Sequence, residues 1–234
     1  MGRFLRTGAL AGAAGGLALA VFLRLVGEGS IGDAVALERS GSGVHHEMFS
    51  RGTQQVGGMI GAVLYGVCMG MIVAVVFAAV RHRLRANDDW RRSLTIAATG
   101  FITISLVPFL KYPANPPTVG SPDSIGRRTA LFVLMLAWSV VTTWTAWRCW
   151  NWLRERGTGE QARVAANVAL VVGMVAFAFV LLPGSPDPVA APATLIWRFR
   201  LSSLGGAAVY WAVLGMTMGV LLERKRERVL ELTG

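Results

Sequence analysis

Apolar residues in this chain fall into six long blocks, separated by polar, charged or proline-rich segments. Ionisable residues are almost absent inside the blocks. A block of about 18 or more apolar residues is long enough to cross a bilayer as a helix. The pattern therefore predicts an all-α integral membrane protein. Its predicted membrane-spanning helices cover residues 7–26, 56–80, 93–110, 129–147, 164–182 and 201–222.

Three of the connecting segments are long and polar, and the others are short and basic. The long ones cover residues 27–55, 111–128 and 183–200, and we expect them to be outer loops on one side of the membrane. We interpret residues 1–234 as a single transmembrane domain, a six-helix bundle. The string GSPD occurs at 120–123 and again at 184–187, which suggests three helical hairpins derived from an old repeat.

The first predicted helix carries glycines at a spacing of four residues. Gly8, Gly12 and Gly16 therefore lie on one face of that helix. In lipid, where no hydrophobic drive holds helices together, small residues allow close helix packing. This face is expected to be an assembly surface and not a site of chemistry.

Composition and charge limit the functional class. The chain is 53% hydrophobic and only 15% charged, with 23 Lys and Arg residues giving a net charge of +10. Most basic residues lie at the N terminus, in the short connections and in the tail, so they indicate membrane topology and not nucleic-acid binding. By the positive-inside rule both termini are cytoplasmic, and the protein is expected to be multi-pass in a bacterial cytoplasmic membrane.

Catalytic and nucleotide-binding patterns are missing from the sequence. There is no GxxxxGK[ST] loop, no CxxC pair and no evident nucleophile with a base, so we do not expect an enzyme. The predicted helix centres also lack carboxylates and histidines, the groups that an ion pathway usually uses. The remaining polar or sulfur-bearing candidates inside the helices are Cys68, Met69, Met71, Thr103, Ser105, Thr142, Thr143, Met216 and Met218.

A candidate metal site lies in the first outer loop. His45, His46 and Glu47 offer two imidazoles and a carboxylate, donors that suit Co²⁺, Ni²⁺ or Zn²⁺. Neighbouring residues on a regular helix point about 100° apart, so both histidines can ligate one ion only on an irregular segment. The competing interpretation is a solvated polar loop that contains histidines by chance.

The second outer loop, LKYPANPPTVGSPDSIGRR, is rich in proline. Each proline fixes its own φ and restricts the preceding residue to extended geometry, so this segment is expected to be stiff and non-helical. Lys111 and the arginines near the helix ends are expected to pair with Asp123 and Asp187 and so to fix those ends.

The strings FLKYPANPPTVGSPDSIGRRTALF, HHEMFSRGTQ and WRFRLSSLG resemble the CbtA family of cobalt transporter subunits, and the resemblance runs nearly end to end. It implies a role in Co²⁺ uptake for cobalamin synthesis, with Co²⁺ as the transported ion and no prosthetic group. It also implies a small single-span companion subunit of the CbtB type that carries histidines. The family-like positions are His45 to Glu47, Ser50 to Gln54, Lys111 to Pro117, Asp123 to Thr129 and Arg198 to Leu204.

Two functional hypotheses follow from the sequence. In the first, the chain is a Co²⁺ uptake subunit that captures the ion on its outer loops, and the Pro-rich segment positions the entrance. The residues assigned to this loop motif and entrance are Lys111, Tyr112, Pro113, Asn115, Pro116, Pro117, Asp123, Arg127, Arg128, Arg198 and Arg200. In the second, the chain is a non-transporting membrane scaffold that binds another subunit. Transport of another divalent metal such as nickel, and assembly as a homo-oligomer, stay open.

Overall fold

The computed structural model describes residues 1–41, 50–84, 88–117, 119–186 and 191–233, with side chains for these ranges except 38–41 and 225–233. Six helices are long and apolar enough to cross a membrane, which confirms the predicted fold class. These six are Gly2–Leu37, Arg51–Arg83, Asp89–Lys111, Pro122–Glu155, Glu160–Leu181 and Ala193–Arg224.

In finer detail the described residues form eight α-helical segments, and short π or 3₁₀ turns adjoin some of them. They are α1 (Gly2–Phe22), α2 (Glu28–Gly41), α3 (Arg51–Val80), α4 (Asp89–Gly100), α5 (Val107–Lys111), α6 (Ile125–Glu155), α7 (Glu160–Leu181) and α8 (Ala193–Thr233). Side-chain caps fix two of the starts. Ser50 accepts a hydrogen bond from the Thr53 amide before α3, and Asp88 accepts one from the Arg91 amide before α4.

Two π segments lie inside otherwise continuous helices. Leu23–Gly27 joins α1 to α2, and Phe101–Leu106 joins α4 to α5. Pro108 follows the second segment and has no N–H to give to the carbonyl four residues earlier, so the α-helical ladder is broken there. The wider π register accommodates that break.

Helical structure extends into two of the segments for which the sequence predicted loops. Residues 28–41 are helical, within the predicted loop 27–55, and α8 begins at Ala193, within the predicted loop 183–200. Residues 28–41 are polar in composition, but the helix has one buried face. Ser30 and Ala34 are buried one turn apart on that face, whereas Leu37 is exposed. At the start of α8, Leu195 and Ile196 are likewise buried.

Contacts divide the chain into two compact units. The first comprises Met1–Phe101, Pro116–Thr118 and Pro192–Gly234, and the second comprises Ile102–Asn115 and Val119–Ala191.

The first unit is built on close helix contacts made by glycines. On α1 they are Gly8, Gly12 and Gly16, and on α3 they are Gly66 and Gly70; a Cβ on any of the five would overlap main-chain atoms of the facing helix. The predicted packing role of the α1 glycines is therefore confirmed.

Two aromatic residues of α8 pack against glycines of neighbouring helices in the first unit. The buried Tyr210 donates its hydroxyl hydrogen bond to the Gly66 carbonyl at 3.2 Å, and its ring lies against Gly15. Trp211 packs in the space left by Gly100 of α4. Large rings thus fill the gaps that missing side chains leave on the neighbouring helices.

The second unit centres on the pair α6 and α7, which are joined by a tight turn with Gly157 at φ +71°. Trp138 of α6 stacks on Phe177 of α7 with ring centroids 5.4 Å apart, and its indole N–H donates to the Met174 carbonyl at 2.8 Å. The hydroxyls of Thr103 and Thr143 lie 2.7 Å apart and link the second π segment to α6. Interhelical hydrogen bonds of this kind hold helices together in lipid.

Candidate functional site

The predicted metal ligands His45, His46 and Glu47 lie outside the described residues, which resume at Ser50. The flanking helices are described. The Ser50 hydroxyl lies 2.9 Å from the Thr53 hydroxyl, so the chain is fixed where it re-enters α3. The segment 42–49 therefore connects two defined helix ends.

A charged cluster links the start of α2 to the start of α3 and is formed by Glu28, Arg51, Gln54 and Gln55. One carboxylate oxygen of Glu28, Oε1, accepts from Arg51 Nη2 at 2.6 Å and from Gln55 Nε2 at 2.8 Å. Arg51 also donates from Nη1 to Gln54 Oε1 at 3.2 Å. Arg51 and Gln55 are one turn apart on α3 and so present both donors on the same face. We call these four residues the Glu28 cluster.

A cavity of about 170 Å³ adjoins the Glu28 cluster. Among the described residues that line it, Glu28 provides the one carboxylate, and Arg24 and Arg51 provide two guanidiniums. The rest of the lining is mostly aliphatic: Ala20, Leu23, Ile31, Gly58, Met59 and Ala62, together with the amides Gln54 and Gln55. The cavity therefore combines one anionic group with two cationic groups in a largely apolar wall.

The predicted arginines of the last outer segment lie near the start of α8. Arg198 Nη1 is 3.6 Å from Asp33 Oδ2, and both side chains are mostly exposed, at 68% and 60%. Arg200 is half-buried. An exposed ion pair at this distance is weak and screened by salt.

In the second unit, Lys111 and Tyr112 hold the end of α7. Lys111 Nζ donates to the Phe179 carbonyl at 2.9 Å and lies 5.2 Å from the centre of the Phe179 ring. The Tyr112 hydroxyl donates to the Pro183 carbonyl at 2.7 Å. The last carbonyls of a helix lack partners within the helix, and a cation there also favours the negative end of the helix dipole. We call Lys111, Tyr112, Phe179 and Pro183 the Lys–Tyr clamp.

The remaining family-like residues of the Pro-rich segment differ in exposure. Pro113 and Asn115 are half-buried, Pro116 is buried, and Pro117 is exposed. Partial burial raises the pKa of the Tyr112 phenol above its ordinary value, so the phenol keeps its proton at neutral pH and donates. The sequence proposed Tyr112 as a polar contact at an ion entrance, whereas its hydroxyl is occupied by a main-chain carbonyl.

The following loop is held by main-chain contacts as well. Arg128 donates to the carbonyls of Val119 at 3.4 Å and Ser121 at 3.3 Å. Ser121 caps the 3₁₀ turn by accepting from the Asp123 amide. Asp123 and Arg127 are exposed, and no ion pair joins Asp123 to another described residue. Asp187, the other expected partner, lies outside the described residues.

The candidate ligands inside the helices are only partly brought together. Thr103 and Thr143 form the pair already described, and Thr142 bonds to the Trp138 carbonyl of its own helix at 2.9 Å. Cys68 is exposed, whereas Met218 is buried. Within the described ranges, no three His, Cys, Asp or Glu side chains come together as a metal site.

Sequence reasoning missed the joining of Glu28 to Arg51 and Gln55. The i and i+4 spacing of Arg51 and Gln55 was readable, but their partner lies 23 and 27 residues away. Only packing of the helices brings these residues together.

Comparison with known proteins gives one finding. A family model described as "Probable cobalt transporter subunit (CbtA)" matches residues 1–223. No curated protein and no solved structure matches the chain.

Proposed function

Because the chain belongs to the CbtA family of probable cobalt transporter subunits, we propose that it is the membrane subunit of a Co²⁺ uptake system that supplies cobalamin synthesis. The six membrane-length helices and the family together make it a multi-pass membrane protein. We place it in a bacterial cytoplasmic membrane with both termini inside, on the distribution of its basic residues.

The capture step is assigned to the first outer segment. His45, His46 and Glu47 supply nitrogen and oxygen donors, which suit a divalent first-row metal. The observation that supports this assignment is the match to the cobalt transporter subunit family, which includes these residues.

Two histidines and one carboxylate are few ligands for a divalent ion on their own. A transporter subunit works in a membrane complex, so further ligands can come from another chain. We propose a single-span companion of the CbtB type that carries histidines, and we assign the Pro-rich segment to the positioning of the entrance.

The proposal is tested by uptake of radiolabelled cobalt in cobalt-starved cells. Cells with the wild-type chain are compared with a deletion strain and with the His45→Ala/His46→Ala variant. The matched control is His82→Ala, which removes the third histidine of the chain from an exposed position between α3 and α4. We expect uptake to fall in the deletion strain and in the double variant and to be unchanged in the control.

If uptake is lost only in the deletion strain, the chain is needed for cobalt transport, but the capture ligands are residues other than His45 and His46. Equal uptake in all strains at low external cobalt would contradict the cobalt assignment. Repeating the deletion comparison with labelled nickel separates a nickel transporter from a cobalt transporter.

The second candidate function is a non-transporting scaffold that binds another subunit. It is favoured by the absence, within the described ranges, of any group of His, Cys, Asp and Glu that could hold a metal. Cobalt flux into vesicles reconstituted with this chain alone would contradict the scaffold.

A further inference from the structure

Two guanidinium groups lie around one phenylalanine ring at the place where α1 begins and α3 ends. The guanidinium carbon of Arg3 is 5.3 Å from the centre of the Phe4 ring, and that of Arg81 is 4.9 Å from the same centre. Arg81 belongs to the 3₁₀ turn that directly follows α3. A cation at this distance is attracted by the electrons of the ring, so a single side chain holds both positive groups. We call Arg3, Phe4 and Arg81 the Phe4 cluster.

The Phe4 ring is itself held by the core of the first unit. Its centre lies 6.0 Å from that of the Phe77 ring on α3, and Phe77 is fully buried. One turn further along, Gly8 of α1 and Gly70 of α3 bring the two helix backbones into direct contact. The two guanidiniums are therefore positioned before any ligand arrives, which lowers the entropic cost of binding one.

The positive charge of the Phe4 cluster is not balanced by the described residues. Their ion pairs use Glu28, Asp33, Asp88 and Asp89, and none of these joins Arg3 or Arg81. Arg81 donates from Nε to His82 Nε2 at 3.1 Å, an acceptor without negative charge. Two like charges on one ring repel each other, and an anion between them relieves that repulsion and accepts from the donors that both groups retain.

An exposed apolar strip continues from the cluster along α1. Leu10 and Leu17 follow Arg3 at intervals of seven residues, a spacing that keeps all three close to one face of the helix. Both leucines are largely exposed, at 60% and 53%. A positively charged helix end followed by an exposed apolar face matches an amphiphile with an anionic head and an apolar tail. A soluble anion has no tail to cover the leucines.

We propose that the Phe4 cluster binds the phosphate of an anionic phospholipid, whose acyl chains lie along Leu10 and Leu17. The phosphate oxygens accept from the forked donors of Arg3 and Arg81, a geometry that suits arginine better than lysine. The bound lipid joins the start of α1 to the end of α3. This inference rests on the six membrane-length helices and not on cobalt transport, so its test is independent of the uptake measurements.

The test is native mass spectrometry of the purified full chain in detergent, titrated with phosphatidylglycerol or with zwitterionic phosphatidylcholine. The wild type is expected to bind phosphatidylglycerol more tightly. A basic residue near a membrane surface contributes enough attraction for Arg81→Gln to weaken that binding about fivefold and Arg3→Gln/Arg81→Gln about thirtyfold. Binding of phosphatidylcholine is expected to be the same in all variants.

Two further variants separate the cluster from net charge. Arg127→Gln/Arg198→Gln removes the same charge from two exposed arginines elsewhere, and is expected to bind phosphatidylglycerol as the wild type does. Phe4→Leu keeps both arginines and removes the ring between them. Its affinity is expected to lie between those of the wild type and the double variant.

An excess of soluble glycerol 3-phosphate distinguishes a lipid from a free anion and is expected to leave the bound lipid in place. Displacement of the lipid would show a site for a soluble phosphate and overturn the proposal. Equal affinity of the wild type for both lipids would also overturn it. So would unchanged phosphatidylglycerol binding in Arg81→Gln, a single exchange at the half-buried end of α3, with the variant eluting as a monodisperse protein.

Discussion

In the Glu28 cluster a guanidinium is paired with a carboxylate, whereas in the Lys–Tyr clamp an ammonium is paired with a main-chain carbonyl. The carboxylate carries a full negative charge and belongs to a side chain. The carbonyl at the end of α7 carries only a partial charge and belongs to the backbone, so the lysine there mainly completes a helix end. One arrangement links the starts of two helices, and the other completes the end of one helix.

This difference assigns different roles to two motifs that look alike in the sequence. Both combine basic residues with polar neighbours at the boundary of a predicted helix. Substitutions in the clamp should loosen the end of α7 and leave cobalt binding unchanged, and substitutions at Glu28 or Arg51 should loosen the link between α2 and α3.

The largest stability effect in this comparison is expected for Lys111→Met. The change removes the hydrogen bond to the Phe179 carbonyl and the contact with the Phe179 ring, at a cost of about 1 kcal/mol in the free energy of unfolding. Chemical unfolding in detergent measures this. The control is Arg127→Met, because Arg127 is exposed in the same outer segment. A change in cobalt binding without a change in stability would reverse the assignment.

A smaller effect is expected for Tyr112→Phe, which removes only the hydroxyl that donates to the Pro183 carbonyl. The expected cost is about 0.5 kcal/mol. Hydrogen exchange of the Leu182 amide, which bonds to the Ala178 carbonyl at the end of α7, gives a local measure and should become faster. Because the phenol keeps its proton, wild-type exchange protection should show no titration of this group around neutral pH. Unchanged exchange in the variant would exclude the clamp.

The smallest effect is expected for Asp33→Asn, which breaks the exposed contact with Arg198. Neither stability nor cobalt binding should change measurably, because such a pair is already screened by water and salt. The same assays as above provide the measurement. A clear loss of stability would contradict the view that this pair is weak.

The sequence predicted the features that depend on local pattern. The six helices follow from the length of the apolar blocks, and the packing role of Gly8, Gly12 and Gly16 follows from their spacing. The family was also recognisable, because the Pro-rich string is distinctive and lies within the matched residues.

The features that depend on distant partners were not predictable in the same way. Lys111 meets Phe179 across 68 residues, and Glu28 meets Arg51 across 23. No local spacing encodes such pairs, since they arise from how whole helices pack. The helix over 28–41 was missed for a related reason: its polar composition resembles a loop, and only burial of Ser30 and Ala34 reveals the face that supports it.

The π turn at Leu23–Gly27 separates two parts of one continuous helix, and the residues after it are rotated around the helix axis relative to those before it. A π turn accommodates one residue more than the α-helical register, and one extra residue rotates everything after it by about 100° around the helix axis. The glycine face of α1 lies before this point, and Glu28 lies immediately after it. Insertion or deletion of a single residue here therefore changes the direction in which Glu28 and the residues after it face, while the glycine contacts between α1 and α3 stay in place. Evolution can in this way alter the direction of the charged residues separately from the glycine packing before them.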